Sequence, residues 1–439
     1  MKILILGSNH VASALAQELC SAGHDITVID NRVDAVKKID LELDVRGIVG
    51  HPTYPEVLRQ GECADSDALI AVLEHDESNM VACQIAHSLF NVPTKIARIR
   101  THNYLHDGKL YGDDNLPIDL FINPERILAK KISQTINHPG AEEVQYHLEA
   151  GLVRFILPEE SPWLDKNILE LEKTYECRIP IKLEDESIIY LSETDTLKPH
   201  DEIILACTVS NINGIMEACG IETPSLNEIV IGGAGYNAKY LAKQLSGHYK
   251  IKVIEKNYHL CQKFAADFPN VITLHGDVKD EQIWTQEALG DADIYCGLTD
   301  DDASNVLSCL IAKQLGCKKT LSLFKEPNYL DLMRSYLDYG VSGQMAMVNL
   351  ILTALYKKDG IKLVFTIANG LLMSASVLIN DQFKQLNKPL KSIDLGNNIC
   401  LLGVCRDSHL LLDQDTIIQE NDLILFLTDS RQTIHNIKI

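Results

Sequence analysis

Two short stretches have residue types and spacing that can do chemistry. Gly7-Ser8-Asn9-His10-Val11-Ala12 and Gly233-Ala234-Gly235-Tyr236-Asn237-Ala238 each follow a short apolar run and lead into a helix-forming one. In a dinucleotide loop of this kind the first glycine permits a tight turn. The second lets the backbone approach a pyrophosphate, and the third position must be small for helix–strand packing. The following helix N-terminus then holds the anion. The second stretch fits the pattern at all three positions. The first has Asn9 in place of the second glycine, where a Cβ crowds the pyrophosphate, although Asn tolerates positive φ better than most residues.

Each loop has an acid downstream. Asp30 lies 23 residues after Gly7, and Glu255 lies 22 after Gly233. A carboxylate at the end of a second strand accepts hydrogen bonds from ribose hydroxyls and repels a 2′-phosphate, which favours NAD over NADP. Further along, Gly50-His51 and Gly276-Asp277 fall where an adenine edge would lie. The stretches LEHDESN (73–79) and TDDDASN (299–305) fall beside the point where strand order reverses, where ligands bind in open α/β sheets. There Asp76 matches Asp302 and Asn79 matches Asn305. Ser78 and Ser304 read at least as well as helix caps, whereas Asn79 and Asn305, inside the helix start, read as ligand or interface residues. Arg98 and Arg100 occupy alternate positions of one strand, so both can face a phosphate. The second half offers Lys325 instead.

Other chemistries lack their residues. No GxxxxGK[ST] motif supports P-loop hydrolysis of ATP. His10, His51 and His75 fall near the first loop, but no separate substrate domain supplies a placed proton-transfer group, as hydride transfer requires. The twelve cysteines are scattered singly, without a CxxC pair or a Cys/His cluster, so no metal site is expected. They read as small core residues in a reducing compartment.

The elements that position these residues occur twice. Gly7, Ala12, Gly50, Asn79, Cys83 and Ala86 recur 226 residues later as Gly233, Ala238, Gly276, Asn305, Cys309 and Ala312. A fixed offset over some eighty residues indicates duplication. In the first copy, strands are expected at 2–7, 26–30, 43–50, 68–73 and 95–100, with helices at 11–22, 55–60 and 78–90. The second copy repeats the strands at 228–233, 251–255, 270–276, 293–299 and 319–324. Strands alternating with helices imply right-handed βαβ units and a parallel sheet. Residues 141–220 and 360–439 instead show short β-rich runs and read as small α+β modules. The expected class is α/β: two Rossmann-like domains at 1–125 and 226–345, each followed by a smaller module, at 140–222 and 358–439.

Composition narrows the partners. The formal charge is −21, with 61 acids against 40 bases. Nucleic-acid affinity depends on neutralising phosphates with Lys and Arg, so a DNA or RNA partner is not expected, and a bare anionic membrane would repel the chain. The N-terminal MKILILGSNH runs straight into a strand, so a signal peptide is not expected. No apolar run reaches the ~20 residues of a membrane helix. The longest, 345–356, reads as a buried or interface helix, so direct membrane insertion is not expected.

The stretches ILGSNHVASALAQEL, ITVID and DESNMVACQIAHSLFNVPTKIARIR resemble the TrkA family of Trk potassium-uptake systems, with matching spacing through both halves. The resemblance implies RCK N-terminal (Rossmann-like) and RCK C-terminal domains and a non-enzymatic regulator. It implies a cytoplasmic protein, peripheral on the inner face of the plasma membrane, forming a homotetrameric gating ring under a potassium-translocating membrane subunit of the TrkH/TrkG kind. It also implies binding of NAD(H), with ATP or ADP for one of the two sites. The nucleotide positions it carries over are Gly7, Asp30, Asp76, Asn79 and Arg98, then Gly233, Gly235, Glu255, Asp277, Thr299 and Asn305. The loop residues Ser8, Asn9, His10, Val11, Ala234, Tyr236 and Asn237, with His51, complete the expected contacts. Two departures fall in the first site: Asn9 replaces the family's glycine, and Leu73 replaces a Thr or Ser matching Thr299. Alternatives from the same residues are a regulator of another cation channel or antiporter, and an NAD-dependent oxidoreductase.

Overall fold

The computed structural model describes residues 1–429 except 102–103, 105–107, 113–114, 185–186, 326–331, 334–335, 357–359, 369–370 and 397. The first sheet comprises β1 (Lys2–Leu6), β2 (Asp25–Asp30), β3 (Arg46–Val49), β4 (Ala68–Ala71), β5 (Thr94–Arg98) and β6 (Leu120–Ile122). Its order is β3-β2-β1-β4-β5-β6, and every pair is parallel. Ile3 to Leu6 are almost wholly buried, as a central strand covered on both faces requires. Helices α1 (His10–Ser21), α2 (Val33–Glu42), α3 (Pro55–Gln60) and α4 (Asp76–Phe90) connect the strands. Order reverses between β1 and β4, which opens a crevice at the strand C-termini.

After β6 the chain forms α5 (Pro124–Asn137) and a second, antiparallel sheet of β7 (Glu143–His147), β8 (Ala150–Ile156), β9 (Arg178–Glu184), β10 (Ser187–Tyr190) and β11 (Glu202–Thr208), with α6 (Ile168–Tyr175) and α7 (Ile212–Ala218). A third sheet follows, of β12 (Glu228–Gly232), β13 (Lys250–Glu255), β14 (Ile272–His275), β15 (Ile294–Gly297), β16 (Lys319–Phe324) and β17 (Tyr339–Ser342). It repeats the first sheet's order as β14-β13-β12-β15-β16-β17, again all parallel. Its helices are α8 (Tyr236–Leu245), α9 (Tyr258–Asp267), α10 (Glu281–Gln286) and α11 (Asp302–Gln314). Then α12 (Gly343–Tyr356) leads to a second antiparallel sheet of β18 (Ile361–Ile367), β19 (Leu372–Leu378), β20 (Ile399–Arg406), β21 (His409–Leu411) and β22 (Leu423–Thr428). The α/β class with duplicated Rossmann-like sheets is therefore as expected.

The compact units do not divide at the duplication. One unit contains 1–123, 143–221 and 347–439, and the other contains 124–142 and 222–346. The reason is α5. Its apolar face, Leu128, Ala129, Ile132 and Ile136, packs into a core with Ala238, Leu241 and Leu245 of α8. Gly140 N donates to Tyr339 Oη at 3.0 Å, and Tyr249 Oη donates to Asn137 Oδ1 at 2.9 Å. The two antiparallel sheets lie in one unit and share a core that includes Leu152, Ile204, Leu372 and Leu425. There the buried His147 shares a hydrogen bond with Ser374 at 2.7 Å, and Ala368 N donates to Glu143 at 3.0 Å. The α12 helix is buried through Val348, Ile351, Leu352 and Leu355, and Asn349 Oδ1 accepts from Thr366 N at 3.0 Å. Among the described residues no helix is long and apolar enough to cross a membrane, and no group of His, Cys, Asp or Glu could hold a metal ion.

Candidate nucleotide-binding clefts

Each glycine loop leaves the C-terminal end of a central strand. Gly7 has φ +117° and Gly233 has φ +98°, so both need glycine's conformational freedom. A Cβ on either would also come within 3.2 Å of a backbone carbonyl, that of Val72 or Leu298. The loops then enter α1 and α8 directly, so the helix N-terminal N–H groups face the crevice.

The second glycine position corrects one expectation. Asn9 does not use positive φ: its backbone is extended, with φ −79° and ψ 174°, close to Gly235 at φ −71° and ψ −172°. What distinguishes the halves is the Asn9 side chain. Its Oδ1 accepts from Ala12 N at 3.0 Å and caps α1, and its Nδ2 donates to Val72 O at 2.6 Å. Asn9 therefore occupies a donor that a phosphate would use. At Gly235 no atom lies within 4 Å of where a Cβ would stand, and α8 has no side-chain cap. Around these positions Ser8 and Val11 are buried and His10 is exposed at the start of α1. In the second half Ala234 is buried, Tyr236 exposed and Asn237 half-buried.

The acids at the strand ends tie the loops down. Asp30 Oδ2 accepts from Ser8 N at 2.7 Å, and Glu255 Oε2 accepts from Ala234 N at 2.7 Å. Burial works against the Asp30 charge, but hydrogen bonds from Arg32 and Ser8 and the charge of Arg32 outweigh it and hold the carboxyl below its ordinary range. Arg32 was not singled out in the sequence; its place two residues beyond the acid was the available signal. At the next strand end His51 is exposed and stacked on Tyr54 with centroids 4.4 Å apart. Asp277 is half-buried and pairs with Lys256 Nζ at 3.1 Å. The hydrogen bond from Lys279 N, and then Lys256, hold its carboxyl below the usual range.

Beyond the fourth strand, the residues expected to touch ligand turn inward. Asn79 is fully buried: Oδ1 accepts from Leu73 N at 2.8 Å, and Nδ2 donates to Leu73 O and Arg98 O at 3.2 and 2.9 Å. Asn305 repeats this with Thr299 N, Thr299 O and Leu323 O. Asp76 is also buried and accepts from Arg100 N and Thr101 N. Arg98 Nη2 donates to the carbonyls of Leu73 and Glu74 instead of standing open toward a phosphate. Lys325 Nζ does the same for Asp300 O at 2.6 Å, at the position corresponding to Glu74. These side chains position the crevice wall. Residue type and spacing gave their importance, but not which way they point. Thr299 Oγ1 donates to Asn305 Oδ1 at 2.7 Å, whereas Leu73 packs against the first core. In the second half Asp301, not Ser304, caps α11.

Two switch-point crevices, each with a glycine turn, a helix N-terminus and a strand-end acid, define a tandem Rossmann-like fold of the dinucleotide-binding class. A family model described as the TrkA-N domain matches residues 3–124 and 229–342. The chain is 31% identical to the Trk system potassium uptake protein TrkA of Halomonas elongata over 98% of its own length and 97% of that protein. It is 30% identical to the protein of the same name from Haemophilus influenzae, over 98% and 96%. Among solved structures, the GsuK RCK domain superposes with TM-score 0.63 at 19% identity, covering 99% of this chain and 95% of that one. The GsuK channel bound to NAD gives 0.62 at 18%, covering 99% and 79%. This chain belongs to the TrkA family.

Proposed function

We propose that this chain is the nucleotide-responsive regulatory subunit of a Trk-type potassium uptake system, binding NAD(H) in the second crevice and an adenine nucleotide in the first. The observation that carries this reading is the pair of glycine-turn crevices in a chain of the TrkA family. The relatives' names supply the process, and the fold-level likeness to a channel solved with NAD agrees with the ligand class. In this reading the protein works at the inner face of the plasma membrane as a homotetrameric ring beneath a TrkH/TrkG-like translocating subunit. A ligand biases a two-state assembly only by its differential affinity for the two states. Different nucleotides in the same crevices would therefore set different ring shapes, and the membrane subunit would read the shape. No chemical conversion of the nucleotide is part of the reading.

Gly235→Asp tests it. The position has open space for the side chain, so the fold is retained while a carboxylate opposes the pyrophosphate. Potassium uptake should be measured in cells lacking their own copy and supplied with the variant. We expect uptake to lose its response to the NADH/NAD ratio. Unchanged uptake with an unchanged response would overturn the reading.

A further inference from the structure

The two strand-end acids have different hydrogen-bonding capacity left. An ionised carboxylate offers about four lone-pair sites. Asp30 fills them within the protein. Oδ2 accepts from Ser8 N at 2.7 Å and Arg32 Nη2 at 3.0 Å; Oδ1 accepts from Arg32 N at 2.9 Å and Arg32 Nε at 3.2 Å. Among the described residues Glu255 accepts only one donor on each oxygen, Ala234 N and Asn257 N, both at 2.7 Å. Two ribose hydroxyls can therefore bond to Glu255, but they reach Asp30 only by displacing Arg32.

Charge separates the halves in the same direction. Arg32 neutralises Asp30 and so cancels the repulsion that would exclude a ribose phosphate. Its side chain is 57% exposed, and Nη2 also reaches Ser8 Oγ on the glycine loop at 3.1 Å. A guanidinium fork held there matches a phosphate geometrically, at the place where an arginine accommodates a 2′-phosphate in this fold. The next strand end adds His51 and Tyr54 in the first half. The corresponding residues 226 positions on are two acids, Asp277, which pairs with Lys256, and Asp280, whose Oδ1 caps α10 by accepting from Gln282 N at 3.0 Å.

We propose that the first crevice takes an adenosine nucleotide with a 2′-phosphate, the NADPH class, through Arg32, while the second selects the free 2′-hydroxyl of NADH through Glu255. This deepens the nucleotide reading above and rests on it. It replaces, for the first crevice alone, the preference for NAD inferred from an acid at that position.

The test is a calorimetric titration of the full chain with NADPH, with 2′,5′-ADP and with NADH. NADPH should fill one site per chain. Arg32→Gln should weaken it by about ten- to a hundredfold, the range for removing a charged hydrogen-bond partner, and Arg32→Lys should restore part of that. NADH binding in the second crevice should be unaffected by Arg32→Gln and weakened by Glu255→Gln. The proposal is overturned if NADH binds while NADPH and 2′,5′-ADP do not, or if NADPH binds equally well to Arg32→Gln. If no nucleotide binds, the underlying reading fails as well.

Discussion

The second position of each glycine loop offers a reciprocal exchange with a calculable result. Asn9 and Gly235 have nearly the same extended backbone, so swapping the residues introduces no dihedral strain. In the first half a pyrophosphate must displace the Asn9 carboxamide from Ala12 N and Val72 O. Two hydrogen bonds at about 0.5–1.5 kcal/mol each make this displacement cost about 1–3 kcal/mol. At 1.4 kcal/mol per factor of ten, that is a penalty of about five- to a hundredfold in Kd. Asn9→Gly should therefore tighten nucleotide binding in the first crevice by that factor. It should also lower stability by about 1–2 kcal/mol, because the helix cap and the carbonyl contact are lost. Gly235→Asn should do the opposite: its side chain can reach Ala238 N and Leu298 O, capping α8 and weakening binding by a similar factor. Equilibrium titrations with each crevice isolated by a blocking substitution in the other read both values, and urea unfolding reads the stabilities. If Asn9→Gly left affinity unchanged or weakened it, the idea that this side chain competes with the phosphate would be refuted.

Three further outcomes follow from the packing. Asn305→Ala removes four hydrogen bonds from a fully buried side chain and should cost about 2–4 kcal/mol in chemical denaturation, with the crevice wall loosened. Ile132→Ala, on α5 but in the core with α8, should cost about 2–5 kcal/mol, and hydrogen exchange should report the loss in residues 222–346. Burial lowers His147 to about 3, so the folded state does not take the proton that the unfolded chain binds near pH 6.5. Its contribution to stability is complete above that pH and falls toward pH 3. By pH 5 the loss should reach about 2 kcal/mol, seen as a steeper decline than for His147→Gln; parallel pH profiles would contradict this.

Much of the architecture was legible because it depends on local pattern. The buried run before each glycine turn, the acid at each second strand end and the constant offset between halves led directly to two Rossmann-like sheets. Helix α2 was not read, because only Val36 and Ile39 of its ten residues are buried and its remaining positions resemble a polar loop. Helix α5 was also missed. The apolar spacing of Leu128, Ile132 and Ile136 is there to find, but a helix face does not say which sheet it covers, and this one covers the sheet of the other half. Orientation was the larger gap at the crevices. Asn79, Asn305, Asp76 and Arg98 stood out by type and spacing, yet whether such side chains turn to a ligand or to backbone carbonyls depends on contacts 18 to 25 residues away in sequence. Asn9 has the same limitation: its competition for the α1 N-terminus exists only once β4 has brought Val72 beside it.

The central claim is that the two crevices are working nucleotide sites, and it is tested most directly by titrating the purified full chain with NADH in a calorimeter. The account predicts saturable binding in the second crevice that Gly235→Asp abolishes. Absence of heat, together with absence of binding by a second method such as equilibrium dialysis, would contradict it for the second crevice and reduce that glycine loop to scaffold.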